Sequence, residues 1–359
     1  MASYNDRGEA LITQPGPLHD DCGWVAQTGY ATRPLLRYDR RRVDAAPWRI
    51  KEWDYYLVND GSYAVALTLS DLGYIGLLSA SVMDFERKSY VTTSELTLLP
   101  LGRFRMPADS GRGLAAWETK RVSMIFEVTE TERRLRCTFK RFDGDRDLAV
   151  DVTLDQEPRD SMVIVTPWKE RIAAFYYNRK IPAMRARGSL SVGDLVHDFK
   201  PNDSFGLLDW GRGVWTRDNT WFWAAAQGMQ NGRRFGLNLG YGFGDTRAAS
   251  ENMVFVDGVA HKLGRVDFGI PEGVIGPAAG PIEDRYDLLK PWHITDNEGR
   301  LDLVFSPDID RADCMDYKLV STDQHQVFGL LNGSVVLDNG ERFEIRDLRG
   351  SAEVVHNVY

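Results

Sequence analysis

The sequence predicts an all-β protein, with barrels and sandwiches as the two architectures left open. Two observations support this: pairs of turn-forming residues recur between short alternating or β-branched runs, and long amphipathic helical stretches are scarce. The turn pairs are Asp60-Gly61, Asn231-Gly232, Asp257-Gly258, Asn332-Gly333 and Asn339-Gly340. The strand-like runs include residues 63–70, 161–168, 220–227 and 235–243.

The length of the chain predicts two domains. At 359 residues it exceeds the size that a single hydrophobic core usually reaches. Pro, Gly, Ser and Asp cluster between residues 180 and 205, which favours a domain boundary there. We therefore expect an N-terminal arm over residues 1–45, a first β-barrel domain over 46–195 and a second β-barrel domain over 196–359.

Charge and hydropathy exclude several classes of partner. The net charge of −8 argues against sequence-independent binding of nucleic-acid phosphate backbones, which requires clustered Lys and Arg. The N-terminal segment has no basic stretch leading into an apolar run, and no run approaches the roughly eighteen apolar residues of a membrane span. We expect a cytoplasmic protein without nucleic-acid partners or stable membrane insertion; the sequence leaves its oligomeric state open.

Motifs for metals and cofactors are not evident. Cys22, Cys137 and Cys314 are odd in number and form no CxxC pair, which disfavours disulfides and thiolate zinc sites. The six histidines show no HxH or HExxH spacing. The glycine-rich run GYGFGD (240–245) lacks the following helix that a phosphate-binding loop requires. We therefore expect neither a cofactor nor a metal ion.

The Asn231-Gly232 turn predicts the register and the faces of one hairpin. With a two-residue loop, Gln230 pairs with Arg233, and opposed residues share a face. One face collects Trp221, Trp223, Gln227, Gly236, Asn238, Gly240 and Gly242. The other collects Phe222, Ala224, Leu237, Leu239, Tyr241 and Phe243, and is predicted to be core. On the first face, the indoles either cover the glycines opposite them or, with the amides, line a cavity.

The Asp257-Gly258 turn predicts a second hairpin. It sets Val254 opposite His261, and the alternation of side chains then directs Glu251 and His261 to opposite faces. We therefore expect that Glu251 and His261 do not form a catalytic pair.

Residues 209–223, DWGRGVWTRDNTWFW, hold four of the ten tryptophans and the strongest acid–base candidate. A carboxylate hemmed in by indoles loses solvation, which raises its pKa and allows Asp209 to donate a proton near neutrality. The alternative is a structural role for Asp209, in an ion pair with Arg212 or as a turn cap.

Further candidates are weaker. Glu251 and His325 are secondary acid–base candidates, each more typical of a structural role. In FYYN, Tyr177 and Asn178 supply polar groups to an apolar wall or serve as ordinary strand anchors.

Seven segments spread over the chain carry a family resemblance. They are KEWDYYLV (51–58), DLGYIGLLSASVMDFE (71–86), FYYNRKIP (175–182), SFGLLDWGRGVWTRDNTWFWAAAQG (204–228), GYGFGDTRAASENMVFVDGVAHKL (240–263), DQHQVFG (323–329) and the tail AEVVHNVY. Together they resemble domain-of-unknown-function family 2804 from about residue 15 to the end. That family brings no established reaction.

More distantly, this family resembles the two-domain lipocalin-like proteins, which include carotenoid hydratases, kievitone hydratase, cyclases of fungal polyketides and a lipid-carrying survival factor. The second resemblance rests on the pattern of two β halves and a Trp/Asp-rich segment in the second half. It implies two lipocalin-like antiparallel β-barrel or half-barrel domains packed together, an apolar ligand at or between the barrels, and catalysis without a cofactor. Their catalytic residues do not match this sequence one by one.

The function predicted from these observations is that of a cofactor-independent enzyme acting on a largely apolar or isoprenoid-like small molecule. Protonation of an alkene creates positive charge, which indole faces stabilise while a shielded carboxylic acid supplies the proton. Asp209 is the predicted acid, for hydration, isomerisation or cyclisation of a double bond. The predicted substrate-binding residues are Trp210, Arg212, Trp215, Trp221, Trp223, Asn238, Tyr177 and Asn178. A non-catalytic carrier of hydrophobic metabolites and a carbohydrate-active protein are the two alternatives.

Overall fold

Antiparallel strands make up most of the computed structural model, which describes residues 3–274, 280–316 and 321–358. The first seventeen strands are β1 (Ser3–Tyr4), β2 (Ala10–Leu11), β3 (Gly16–Pro17), β4 (Gly29–Ala31), β5 (Leu36–Arg37), β6 (Lys51–Asn59), β7 (Tyr63–Asp71), β8 (Ile75–Asp84), β9 (Ser89–Leu98), β10 (Gly113–Glu118), β11 (Val122–Val128), β12 (Glu132–Asp143), β13 (Arg146–Asp155), β14 (Met162–Pro167), β15 (Phe175–Val192), β16 (Leu195–Phe199) and β17 (Phe205–Val214). The remaining strands are β18 (Asp218–Gln230), β19 (Arg233–Tyr241), β20 (Met253–Val256), β21 (Val259–Lys262), β22 (Val266–Asp267), β23 (Trp292–Asp296), β24 (Leu301–Asp316), β25 (Ser321–Val336) and β26 (Arg342–Val358).

Helical structure is limited to short pieces. They are the helix α1 (Ile282–Arg285) and two 3₁₀ turns, Arg40–Arg42 and Pro47–Arg49. None of the helices among the described residues has the length and apolar composition needed to cross a membrane.

The strands form two large sheets. A 15-stranded sheet contains β1 to β17 except β3 and β5, which pair with each other. A 9-stranded sheet follows the order β21-β20-β19-β18-β26-β25-β24-β23-β22. Each curved sheet encloses an apolar interior of its own. The prediction of an all-β protein made of barrel or half-barrel units is confirmed.

Most of the predicted turns and strands are confirmed. The four strand-like runs lie within β7, β14, β18 and β19, apart from one or two residues at their ends. The pair Asn332-Gly333 is the exception, because it lies inside β25. Gly333 has a positive φ of 140° at a register shift, and a Cβ there would overlap the backbone of Asp302. Its glycine serves a strand irregularity rather than a turn.

The sheets cross the region of the predicted domain boundary. β15 is continuous from Phe175 to Val192, and β17 pairs with β15 on one side and with β6 on the other. The first sheet therefore draws strands from both sides of position 195. The division into an arm and two domains stays a prediction.

A third apolar layer lies between the two sheets. The outer face of the first sheet contributes Tyr55, Leu57 and Leu207, and the second sheet contributes Trp223, Ala225 and Phe328. A neighbouring cluster includes Tyr176 from the first sheet and Met253 from the second. This layer brings side chains distant in sequence into contact, and it also contains a group of buried charges.

Candidate active site between the sheets

A row of three polar side chains crosses the first sheet where it faces the second. In the strand register, Lys180 of β15 lies opposite Asp209 of β17, and Asp209 lies opposite Tyr55 of β6. Opposed residues share a face, so all three point toward the second sheet. The Lys180 Nζ atom lies 3.6 Å from Oδ2 of Asp209.

The neighbouring row holds the other partners of Asp209. It consists of Asn178, Gly211 and Trp53. Asn178 Nδ2 donates to Oδ1 of Asp209 at 2.6 Å, and Trp53 Nε1 donates to the same oxygen at 3.3 Å. A Cβ on Gly211 would overlap the Trp53 ring, so the glycine allows the indole to lie flat against β17.

The second sheet supplies the other side of the site. Lys180 Nζ donates to Oε2 of Glu251 at 3.0 Å and lies 4.1 Å from the centre of the Trp223 ring. The ammonium group thus bridges Asp209 and Glu251. Lys180 is 3% exposed, whereas the two carboxylate side chains are each 13% exposed.

Asn238 orients Glu251 and Trp223. It accepts a hydrogen bond from Trp223 Nε1 at 2.8 Å and donates to the backbone oxygen of Glu251 at 2.8 Å. Trp223 lies opposite Gly240, as predicted. A Cβ on Gly240 would lie 2.5 Å from Oε1 of Glu251, so the glycine makes room for this carboxylate.

A second buried carboxyl, Glu353, extends the site along the second sheet. Its two oxygens accept hydrogen bonds from Trp221 Nε1 at 3.3 Å and from Gln326 Nε2 at 2.7 Å. Gln326 also donates to the hydroxyl of Tyr55 at 3.2 Å, which links Glu353 to the row on the first sheet.

Burial controls the protonation of these groups. It raises the pKa of Asp209, although Lys180 and Asn178 act in the opposite direction. Burial likewise raises the pKa of Glu353 to about 7, so this carboxyl changes protonation near neutral pH. Burial alone would lower the pKa of Lys180, but the carboxylates of Asp209 and Glu251 raise it, so the ammonium stays charged.

Aromatic rings form a continuous rim beside the two carboxyls. Trp53 packs edge-on against Trp215 with ring centres 5.5 Å apart, and Trp215 packs against Phe243 at 5.4 Å. Phe243 in turn contacts Trp221 at 5.3 Å. One end of the rim therefore donates to Asp209 and the other to Glu353. Trp53, Phe243 and Trp221 are partly exposed, so the rim offers an apolar surface to a ligand.

Phe243 departs from its predicted position on the core face. The alternation ends at Gly242, which has a positive φ of 91° and follows the last residue of β19. The chain turns there, and Phe243 joins the rim between the sheets.

Three predicted binding residues lie on the opposite face of the first sheet. Trp210 and Tyr177 are buried in its interior, and the Tyr177 hydroxyl donates to the backbone oxygen of Leu36 at 2.8 Å. Arg212 is fully buried and pairs with Asp54 at 3.0 Å. The expected pairing of Arg212 with Asp209 is wrong, because strand alternation sends the two side chains to different faces.

The two secondary histidine expectations have different outcomes. Val254 pairs with His261 as predicted. His261 contacts Asp338, whereas Glu251 contacts Lys180, so Glu251 and His261 do not form a catalytic pair. His325 lies away from Asp209, held between Asp310 and Asp323. These two carboxylates raise the pKa of His325 to about 9, although burial alone would lower it.

Sequence reasoning missed five residues of the site, namely Lys180, Trp53, Tyr55, Gln326 and Glu353. Two of these five residues could have been recognised from the sequence. Glu353 is the one charge in the strand sequence SAEVV, and Lys180 follows Arg179 in the largely apolar strand sequence FYYNRKIPA. Such charges are rarely buried without partners, so they indicate a polar group between packed layers.

The fold and the site together define a class: a two-sheet, all-β protein with a cluster of charged side chains between its sheets. The chain belongs to the family described as "Domain of unknown function (DUF2804)", whose family model matches residues 9–359. The first predicted resemblance is thereby confirmed. A search of curated proteins gave no significant match.

Solved structures confirm the more distant resemblance at the level of fold. The protein CghA is 12% identical, with a TM-score of 0.57, and the match covers 97% of this chain and 95% of CghA. A structure of CghA with Sch210972 is 13% identical, with a TM-score of 0.54, and the match covers 97% of this chain and 96% of CghA. A protein assigned as AttH from Nitrosomonas europaea is 10% identical, with a TM-score of 0.52 and coverage of 90% and 98%.

Proposed function

We propose that this protein is a cofactor-independent enzyme that performs acid–base chemistry on a largely apolar or isoprenoid-like small molecule. The reaction class is hydration, isomerisation or cyclisation of a double bond. One observation carries the proposal: a mostly buried carboxyl with a raised pKa, Asp209, lies at the edge of a partly exposed aromatic rim. The structure of CghA with Sch210972 supports a small-molecule ligand for this fold.

Asp209 has the surroundings that a proton donor to carbon requires. Its Oδ1 atom accepts hydrogen bonds from Asn178 and Trp53, so Oδ2, which lies 3.6 Å from the Lys180 ammonium, is the oxygen that carries the proton when Asp209 is in its acid form. A protonated Asp209 delivers this proton to an alkene lying against the rim. The positive charge that develops on the substrate is stabilised by the neighbouring ring faces and by the carboxylate that remains.

Trp223, which the sequence predicts to bind substrate, instead binds other side chains of the protein. The face of Trp223 is occupied by the Lys180 ammonium, and its Nε1 atom is engaged by Asn238. The Trp53 ring lies against β17 on one side and stacks with Tyr176, so the partly exposed Trp221, at the other end of the rim, is the indole left for a substrate cation. Glu353, with its pKa of about 7, is a second acid or the base that accepts a proton at the other end.

One observation disfavours the carbohydrate-active alternative. A glycosidase needs open space for sugar or water between two carboxyls, whereas the Lys180 ammonium occupies the space between Asp209 and Glu251.

Deuterium transfer tests the proposal. Small molecules extracted from freshly purified protein are identified by mass spectrometry and incubated with the enzyme in heavy water. We expect the wild type to convert the ligand with incorporation of deuterium at carbon. Asp209→Asn should bind the ligand, retain its thermal transition and incorporate none.

The outcomes are separable. Deuterium incorporation by Asp209→Asn at the wild-type rate would remove Asp209 from the chemistry, and its loss in Glu353→Gln alone would assign the proton to Glu353. A bound ligand that the wild type returns unaltered and undeuterated would identify a carrier.

A further inference from the structure

A cluster of metal-type ligands lies on the long β24–β25 hairpin, away from the acid–base site. Cys314 lies directly opposite Asp323 in the register, and His325 follows on the same face of β25. The Cys314 Sγ atom lies 3.2 Å from Oδ1 of Asp323 and 3.8 Å from Nε2 of His325. Nε2 of His325 lies 3.3 Å from the same Asp323 oxygen.

Neighbouring groups aim these atoms at one another. Asp310 Oδ2 lies 2.8 Å from Nδ1 of His325, which directs Nε2 into the cluster. The backbone N–H of Ile282 donates to Oδ2 of Asp323 at 2.7 Å, which directs Oδ1 the same way. A carboxylate that holds the remote nitrogen of a histidine is the usual support of a metal-binding imidazole.

We propose that Cys314, Asp323 and His325 bind a divalent zinc-type cation. Thiolate, imidazole and carboxylate are the three ligand types that zinc uses, at bond lengths of about 2.0–2.3 Å. In a tetrahedron with such bonds, the ligand atoms lie about 3.3–3.7 Å apart. The three separations of 3.2, 3.3 and 3.8 Å match that spacing. Cys314 is exposed, so the fourth position of the tetrahedron faces water or a small ligand.

The same residues fit a catalytic cysteine poorly. The His325 ring lies beside Cys314, but the carboxylate of Asp323 accepts a hydrogen bond from the Cys314 thiol, which favours the thiol over the nucleophilic thiolate. In the metal-free protein, a proton between His325 and Asp323 and the thiol proton of Cys314 hold the cluster together. Binding of the cation replaces these protons and releases them to solvent.

Titration of the chelator-treated protein with Zn²⁺ alone, followed by calorimetry, tests the site. We expect one strongly bound ion per chain. Cys314→Ser should weaken binding by at least about a hundredfold, since it removes a ligand, and Asp310→Asn by about 10- to 100-fold, since it removes only the support of His325. Titration with Co²⁺ should give the near-ultraviolet sulfur-to-metal charge-transfer band in the wild type and not in Cys314→Ser.

Cys22 offers a matched control, because it is the other exposed free thiol. Cys22→Ser should bind Zn²⁺ as the wild type does and keep the Co²⁺ band. Equal Zn²⁺ affinity in the wild type and Cys314→Ser, or a Co²⁺ complex without the sulfur band, would overturn the proposal. The readouts do not involve turnover, so the result is independent of the acid–base activity.

Discussion

Lys180 determines the charge balance of the proposed acid–base site. Two carboxylates without a counter-ion would be expensive to bury side by side, and the ammonium between Asp209 and Glu251 compensates both. Because Lys180 also lies over the Trp223 ring, its position is fixed from three directions. One cation therefore allows the protein to keep acidic groups beside an apolar surface.

Glu353 gives the folded protein a pH-dependent stability near neutrality. The unfolded chain releases this proton near the ordinary pKa of 4.5, whereas the folded protein keeps it up to about 7. The folded state therefore binds more protons between these values, and stability falls as the pH rises through that window, by about 3 kcal/mol in full. Glu353→Gln cannot titrate and should lose most of this fall in urea unfolding between pH 5 and pH 8.

An exposed glutamate on the same strand provides the control. Glu344→Gln should retain the wild-type dependence on pH, since Glu344 is exposed to solvent. If the stability of Glu353→Gln fell with pH as steeply as that of the wild type, the titrating group would lie elsewhere.

At the level of the strands, β17 depends on a glycine to position Trp53. In Gly211→Ala the new methyl group would overlap the indole, which is packed between Tyr176 and Trp215. We expect the free energy of unfolding, measured by urea titration, to fall by about 1–3 kcal/mol, because overpacking forces the ring to move. Displacement of the ring should also break the hydrogen bond from Trp53 to Asp209 and shift the tryptophan fluorescence.

Gly61→Ala is the matched substitution. Gly61 lies in the turn between β6 and β7, and a Cβ there meets nothing within 4 Å. We expect its unfolding free energy to stay within about 0.5 kcal/mol of the wild type. A similarly small change in Gly211→Ala would mean that the indole has room to shift.

Local turn chemistry explains why the elements were predictable and where prediction stopped. Asn231-Gly232 has both residues at positive φ, so the pairing of the whole hairpin followed from one dipeptide. The dipeptide Asn332-Gly333 has the same composition, but there a long-range approach to β24 requires the glycine. Such a contact depends on a partner strand and leaves no mark in the local sequence. Gly242 likewise redirected Phe243 by a backbone angle that alternation does not reveal.

At the scale of the whole molecule, the site could be only half predicted because two sheets build it. The hairpin register indicated that Trp223 and Asn238 share a face, and the Trp-rich segment drew attention to Asp209. No pattern within one strand states which face of one sheet meets which face of the other. Lys180 and Glu353 meet Asp209 only through that contact, so they required the assembled structure.

Gln227 is one of the polar connections between the two sheets, and its substitution tests whether they unfold together. Gln227 lies on β18, and its Oε1 atom accepts a hydrogen bond from the backbone N–H of Ala183 at 2.8 Å. Its Nε2 atom donates to Oδ1 of Asn59 at 2.8 Å and to the backbone oxygen of Phe205 at 3.1 Å. We expect the wild type to unfold in one transition by tryptophan fluorescence and by circular dichroism, because the apolar layer between the sheets is shared. Gln227→Leu leaves the partner groups buried and unpaired, which should cost about 1–3 kcal/mol and separate the two transitions.

Gln230 offers the matched control on the same strand. Its side chain makes a similar pair of hydrogen bonds, to the backbone of Arg346, but both partners lie within the second sheet. Gln230→Leu should therefore lower stability slightly while both probes still report a single transition. If Gln230→Leu separated the transitions as strongly as Gln227→Leu, or if the wild type already unfolded in two steps, the sheets would be independent units. The acid–base site, which needs both sheets, would then be lost at the first of the two transitions.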